Sequence, residues 1–310
     1  MASFIFPPRL PPTWPVWQTI VRCCADVDDT PEYIPCSIEI CETMRHSWGV
    51  PDNAVGLASI SRSGHRVADG RAVLWDCSLS QPFPTQLARP ELVVCRGAGM
   101  LPCKLPVCAA SRALTYPANG PEEKYLRGIS HAQAFGLLGQ SIAPLVLRRL
   151  LAAAMPHAGL PQRPTLGSMC SGMDAAATAL RELGVPFEYV FVSEIDRAAR
   201  RFLEHVRAPR HAFGDCRSDV VRLAAPYVDI FIAGWPCQPF CQINARQTDE
   251  AKADCMATFT AIVSYIARAR PRLVILENTD ALLYGAHLEA YTDRVFNALA
   301  ALGGALLISR

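Results

Sequence analysis

The chain has 310 residues, 51% of them hydrophobic and 19% charged, with a formal net charge of +2. This is enough chain for one large domain or two smaller ones around a sizeable core. The near-neutral balance excludes a polybasic or polyacidic protein but is silent on nucleic acid, because a local basic stripe fits inside a balanced total.

No apolar run approaches the roughly 20 residues of a membrane span, so no membrane partner is expected. The start "MASFIFPPRLPPTWPVW" is broken by prolines and lacks the basic-then-apolar layout of a secretory signal. The 13 cysteines show no zinc-type spacing: Cys36 and Cys41, or Cys103 and Cys108, stand alone without a histidine pair to complete a site. Free, mostly buried thiols in a reducing intracellular compartment are the expectation, with no metal.

Residues 1–129 read as an irregular N-terminal region with recurrent prolines, among them Pro7, Pro8, Pro11, Pro12 and Pro15. Within it, "AVGLASISR" (54–62) and "RAVLWDCSL" (71–79) are predicted strands, and "LPCKLPVCAASRALTYPANGPEEKYL" (101–126) is predicted as loop. Residues 130–160 form a helical segment, broken near Gly139 and restarted at Pro144, where proline suits a first helical turn. "PHAGLPQRP" (156–164) reads as a linker.

Residues 161–310 alternate strand and helix. Strands are predicted over 165–170, 189–196, 227–234 and 272–278, with helices between them, a last helix near 291–303 and a final strand "ALLIS". Such alternation implies an α/β fold, a mainly parallel sheet with helices on both faces.

Ligands of open parallel sheets bind beyond the carboxyl ends of the strands. The residues placed there are Cys170-Ser171-Gly172, then Glu194 and Asp196, then Gly214-Asp215, then Pro236-Cys237-Gln238, and last Glu277-Asn278. Gly172 lets backbone approach a ligand at a helix start, and Glu194 follows 22 residues on (194 − 172), a spacing that suits a carboxylate on ribose hydroxyls. An ordinary strand-to-helix turn explains the glycine equally well. Cys237 and Glu277 close two strands that an ordinary right-handed crossover makes neighbours. A thiolate nucleophile and a carboxyl proton donor would then face one site.

These residues resemble the cytosine-5 DNA methyltransferase family. Its Pro-Cys-Gln turn is matched by "GWPCQPFC", its Glu-Asn-Val turn by "LENT", and its cofactor turn loosely by "SMCSGMDAAATALRELG…VSEID", over residues 165–280. The resemblance implies a Rossmann-like fold that depends on S-adenosylmethionine, with DNA as partner in a nucleus or nucleoid and a monomeric enzyme. It implies that the cytosine is flipped out, that Cys237 in the turn of Pro236 and Gln238 attacks C6, and that Glu277, oriented by Asn278, serves N3. By similarity Glu194 and Ile195 hold the nucleoside, Asp215 and Cys216 the adenine end, and Met169, Cys170, Ser171 and Gly172 the methionine end.

The sequence also departs from the family. The acidic–apolar–aromatic opening becomes Ser168-Met169-Cys170, Trp235 replaces a proline, and Cys241 stands for a serine. The Gln-x-Arg-x-Arg element is not found after Glu277. However, "FGLLGQSIAPLVLRRLLAAA" (135–154) resembles the family's closing motif, with Ser141 as a further cofactor contact. A circular permutation is expected on this basis, with "HSWGVPDNAVGLASISRSGHR" (46–66) as the displaced element and about 67–130 as a reduced recognition region. An RNA cytosine methyltransferase and a homologue that binds without turnover are the alternatives, since nothing in the residues reads sugar identity.

Overall fold

A computed structural model describes residues 55–59, 74–76, 92–96, 102–240, 248–279, 282 and 289–303. The expectations for residues 1–54, for Cys241 and for the strand "ALLIS" lie outside these. The chain divides into two compact units, Met1–Arg149 and Leu150–Arg310. No described helix is long and apolar enough to cross a membrane.

In the first unit, β1 (Val55–Ser59) and β2 (Leu74–Asp76) fall where the alternation predicts them. They join β3 (Leu92–Arg96) and β4 (Cys103–Lys104) in an antiparallel sheet ordered β2-β1-β3-β4. Val93, Val94 and Cys95 of β3 are buried.

The loop expected over 101–126 is overturned. It contains β4 and two helices, α1 (Val107–Ala113) and α2 (Pro121–Arg127). The prolines that suggested a loop instead start helices: Pro106 is the N-cap of α1, and Pro121 opens α2, where its missing N–H costs nothing. Only Thr115–Gly120 between them is a true connection, with Thr115 and Asn119 at φ 67° and 57°. Arg112 grips the fully buried Glu123 with Nε and Nη2, both at 2.8 Å, tying α1 to α2.

The two helices around Gly139 are found as expected, α3 (His131–Leu138) and α4 (Pro144–Ala154). Ser130 and Gln133 form a reciprocal capping box at the start of α3. The division between the two units falls inside α4.

Among its described residues the second unit holds a five-stranded parallel sheet of order β7-β6-β5-β8-β9. Its elements in chain order are β5 (Thr165–Met169), α5 (Ala175–Glu182), β6 (Glu188–Ser193), α6 (Arg197–Phe202) and β7 (His211–Phe213). Then come α7 (Asp219–Ala224), β8 (Ile230–Gly234), α8 (Asp249–Ala269), β9 (Leu273–Glu277) and α9 (Glu289–Leu302). The chain runs outward from β5 to β7, then returns past β5 to β8 and β9. Right-handed crossovers therefore place α5 and α6 on one face, α7 and α8 on the other. The Rossmann-like α/β expectation is borne out.

Several strand limits move: β5 ends at Met169, β6 spans Glu188–Ser193, β8 begins only at Ile230, and β9 is Leu273–Glu277. The short strand β7 and helix α7 carry too few periodic residues to be read from sequence. The core between the sheet and α8 holds Phe191, Phe231, Phe259, Ile262 and Tyr265, all buried. The Phe191 and Tyr265 rings meet edge-on at 5.4 Å.

Candidate active site

Strand register brings the predicted residues to one rim. Met169 lies level with Ser193 and with Ala233, Ser193 with Phe213, and Gly234 with Glu277. The residues that follow these positions are Cys170, Glu194, Gly214, Trp235 and Asn278. The topological switch falls between β5 and β8, the place where ligands enter such sheets.

On one side of that switch lies a turn of unusual backbone. Cys170, Gly172 and Asp174 all adopt left-handed φ, at 51°, 52° and 43°. Only one of the three is a glycine. The turn is pinned to the neighbouring strand ends. Ser171 donates its N–H to the Ser193 carbonyl at 3.3 Å and accepts the Ser193 N–H at 3.2 Å; Ser193 Oγ donates to the Gly214 carbonyl at 2.7 Å.

Glu194, 9% exposed, accepts the Gly172 N–H at 2.8 Å and the Asp196 N–H at 2.8 Å. Asp196 itself caps α6 through Ala199 and stands apart from the site. Ile195 is 65% exposed beside Glu194, an apolar surface available to a flat ring.

Asp215 follows β7, and its carboxylate is already held. Arg217 grips it through Nε and Nη2, the latter at 2.8 Å, and reaches across to Asp254 of α8. The Arg217 guanidinium holds the Asp215 carboxyl below the usual carboxylate range. Contact with Cys216, then burial, pushes the Cys170 thiol up. Cys216 and Arg217 line a cavity of about 230 Å³ with Met169, Ala257, Ala261 and Tyr265.

On the other side of the switch stands the Pro236-Cys237-Gln238 turn. A short helical turn over Gln238–Phe240 and the bond from Phe240 N–H to the Cys237 carbonyl at 2.9 Å fold the chain back. Cys237 is half-buried, and Pro236 and Gln238 are exposed. Trp235 anchors the turn from beneath, its ring 4.9 Å from Phe259 of α8. Asn278 Nδ2 donates to the Trp235 carbonyl at 2.9 Å, while its Oδ1 accepts the Thr279 N–H at 2.9 Å. The two expected catalytic segments are thus fastened to each other.

Glu277 is exposed as a residue, yet its carboxyl is desolvated enough to be raised above its ordinary value. That direction suits a proton donor. A Cβ on Gly234 would stand 2.9 Å from Glu277 Oε2, so the missing side chain makes room for the carboxyl. Deeper in, burial, followed by the charge of Asp254, pushes the Cys255 thiol up to about 11, so Cys255 is the inert neighbour of Cys237.

Ser141 lies in the first unit, where its hydroxyl and that of Tyr116 are 2.6 Å apart. Sequence reasoning missed Asp174, Tyr189, Arg207 and Arg217. Only Arg217 had a local signal, as a cation two residues after Asp215.

The fold and the rim define a Rossmann-like α/β unit whose strand ends bring a buried carboxylate and a left-handed turn to one side and a thiol and a carboxyl to the other. Residues 165–303 match the model of the C-5 cytosine-specific DNA methylase family. Over 118 residues the chain is 30% identical to the orphan methyltransferase M.Rho11sI of Bacillus phage rho11s, covering 37% of this chain and 23% of that protein. Over 107 residues it is 32% identical to the type II methyltransferase M.DsaV of Dactylococcopsis salina, covering 32% of this chain and 28% of that one. The S. pombe Dnmt2 methyltransferase structure overlays with a TM-score of 0.31 at 16% identity, over 44% of this chain and 40% of that one. The chain spans about a quarter of the length of these curated relatives. The family implies S-adenosylmethionine as cofactor. The rim fits it: among the described residues buried Glu194 is hydrogen-bonded by backbone N–H groups, and Gly172 of the left-handed turn stands beside it without a side chain.

Proposed function

We propose that the chain is a DNA cytosine-5 methyltransferase in which Cys237 is the nucleophile and Glu277 the proton donor. The observation that carries this reading is the pairing of Gly234 with Glu277, which sets the Cys237 turn beside the carboxyl, clasped by Asn278 on Trp235. The relatives' names, methyltransferases of phage and bacterial origin, point the same way.

The target cytosine leaves the base stack to reach this rim. Cys237 Sγ, as thiolate, forms a bond to C6 of the ring. Glu277 shares its proton with N3, so electron density moves to C5. S-adenosylmethionine, when bound, supplies the methyl group that C5 takes. Loss of the C5 proton then breaks the Sγ–C6 bond and frees the thiolate. Glu194 and Ile195 serve the nucleoside end of the cofactor, Asp215 and Cys216 the adenine end, and Met169, Cys170, Ser171 and Gly172 the methionine end. In the same reading residues 135–154 are the family's closing segment placed first in the chain.

The test is a duplex oligonucleotide carrying 5-fluorocytosine, incubated with S-adenosylmethionine. Fluorine at C5 blocks the final elimination, so a covalent adduct resistant to denaturation is expected. Cys237→Ser abolishes it; persistence in that variant overturns the assignment of the nucleophile. No adduct from the wild-type protein, with cofactor binding demonstrated and both DNA and RNA tried, favours a homologue that binds without turnover. An adduct on RNA alone moves the substrate and keeps the chemistry.

A further inference from the structure

Asp174 is a charged side chain that the reading above does not use, and it is only 5% exposed. It stands at the N-cap position of α5 but makes no side-chain cap bond there. Its carboxylate turns inward instead. Ser168 Oγ donates to Oδ2 at 2.7 Å, and the Tyr189 hydroxyl donates to the same oxygen. Burial and the Asp174 charge push the Tyr189 phenol well above its ordinary range, so it remains a donor.

The backbone at Asp174 is left-handed, a conformation uncommon outside glycine. A residue that forgoes its capping bond and accepts this backbone is held in place by what its carboxylate does. Two neighbours act on the same segment. Ser168 Oγ is 2.8 Å from Ser171 Oγ, which reaches Ser193. Arg207, 3% exposed, donates from Nε and Nη2 to the Met173 carbonyl and from Nη2 to Thr178. The turn 170–173 is therefore gripped from below at Ser168, Ser171 and Met173.

We propose that Asp174 is a positioning residue for the amino-acid end of the cofactor. Through Ser168 and Tyr189 it fixes the left-handed turn in the form that presents Ser171 and Gly172 to the ligand. This rests on the cofactor reading above. The carboxylate acts at the methionine side of the turn, whereas the nucleoside side is set by Glu194 and Ile195, and Glu194 meets the turn at the Gly172 N–H, away from Ser168 and Tyr189.

Titration calorimetry with two ligands tests it: S-adenosylhomocysteine, which has the amino-acid end, and 5′-methylthioadenosine, which lacks it. Asp174→Asn keeps shape but replaces the acceptor oxygen pair, and weakens S-adenosylhomocysteine about tenfold or more while changing 5′-methylthioadenosine less than about twofold. Tyr189→Phe, which removes one hydroxyl and leaves the ring, shifts the same ligand in the same direction by a smaller factor. Equal losses for both ligands, or none for S-adenosylhomocysteine, overturn the proposal. If Asp174→Asn does not fold, Tyr189→Phe alone decides by the same ratio. Wild-type protein that binds neither ligand overturns the cofactor reading itself, and this proposal with it.

Discussion

Glu277 shows most directly how one side chain sets a property of the whole reaction. Its carboxyl is raised in the folded protein by desolvation, so the protonated form is favoured relative to the unfolded chain. The sign follows: whatever depends on the protonated acid is fully present below the ordinary glutamate value and is lost as pH rises through the raised one. Adduct formation with 5-fluorocytosine DNA is therefore expected to fall on the alkaline side with Glu277 as the titrating group. Glu277→Gln lowers the rate by about 10²–10⁴-fold and removes that limb of the profile. A variant that keeps the wild-type profile would place the proton donor elsewhere. At this scale the sequence was informative. Cys237, Glu277, Glu194 and Asp215 are each at a strand end, as their spacing implied. The partners of these residues were not legible, because Arg217 reaches Asp254 over 37 residues and Asn278 reaches Trp235 over 43. Side-chain geometry at such separations exists only after the sheet has formed.

At the scale of elements, the pairing of β5 with β6 carries the rim. Gly167 in β5 sits under the ring of Phe191 in β6; a Cβ there would lie 2.3 Å from Phe191 Cε1. Phe191 is fully buried and packs on Phe213, Phe231 and Tyr265, so the ring has nowhere to move. Gly167→Ala is expected to destabilise the second unit by about 1–3 kcal/mol, seen as a lower midpoint in denaturant or thermal unfolding. An unchanged midpoint would mean the ring yields. The long elements here were legible from periodicity and length: α8, one of the helices expected between the strands, spans Asp249–Ala269. Those that escaped were short or led by proline. The three residues of β7 offer too few alternations to count, and α1 and α2 begin at prolines that read equally well as loop.

At the scale of the molecule, the two units are built from different patterns. In the first unit the hydroxyls of Ser141 and Tyr116 are 2.6 Å apart. Ser141→Ala is expected to cost about 1 kcal/mol, seen as a lower thermal midpoint. An unchanged midpoint would mean that this bond adds nothing to the unit. The α/β alternation that makes the second unit readable from sequence is missing from the first. There, all four described strands are five residues or fewer and pair across long intervals, such as β1 with β3. Pairing of that kind leaves little periodic trace in a single sequence.

The level strand ends have a further consequence, for how such a protein can change. Because the order in which the chain adds strands reverses between β5 and β8, the groups assigned to holding a cofactor hang from β5, β6 and β7, and those assigned to bond-making hang from β8 and β9. The two sets are joined by backbone register and by one cationic bridge, Arg217 between Asp215 and Asp254. Substitutions on one flank can alter grip without touching reactivity, and the reverse. Drift in the cradle, such as the non-glycine residues of its left-handed turn, can accumulate while the thiol and its carboxyl stay aligned.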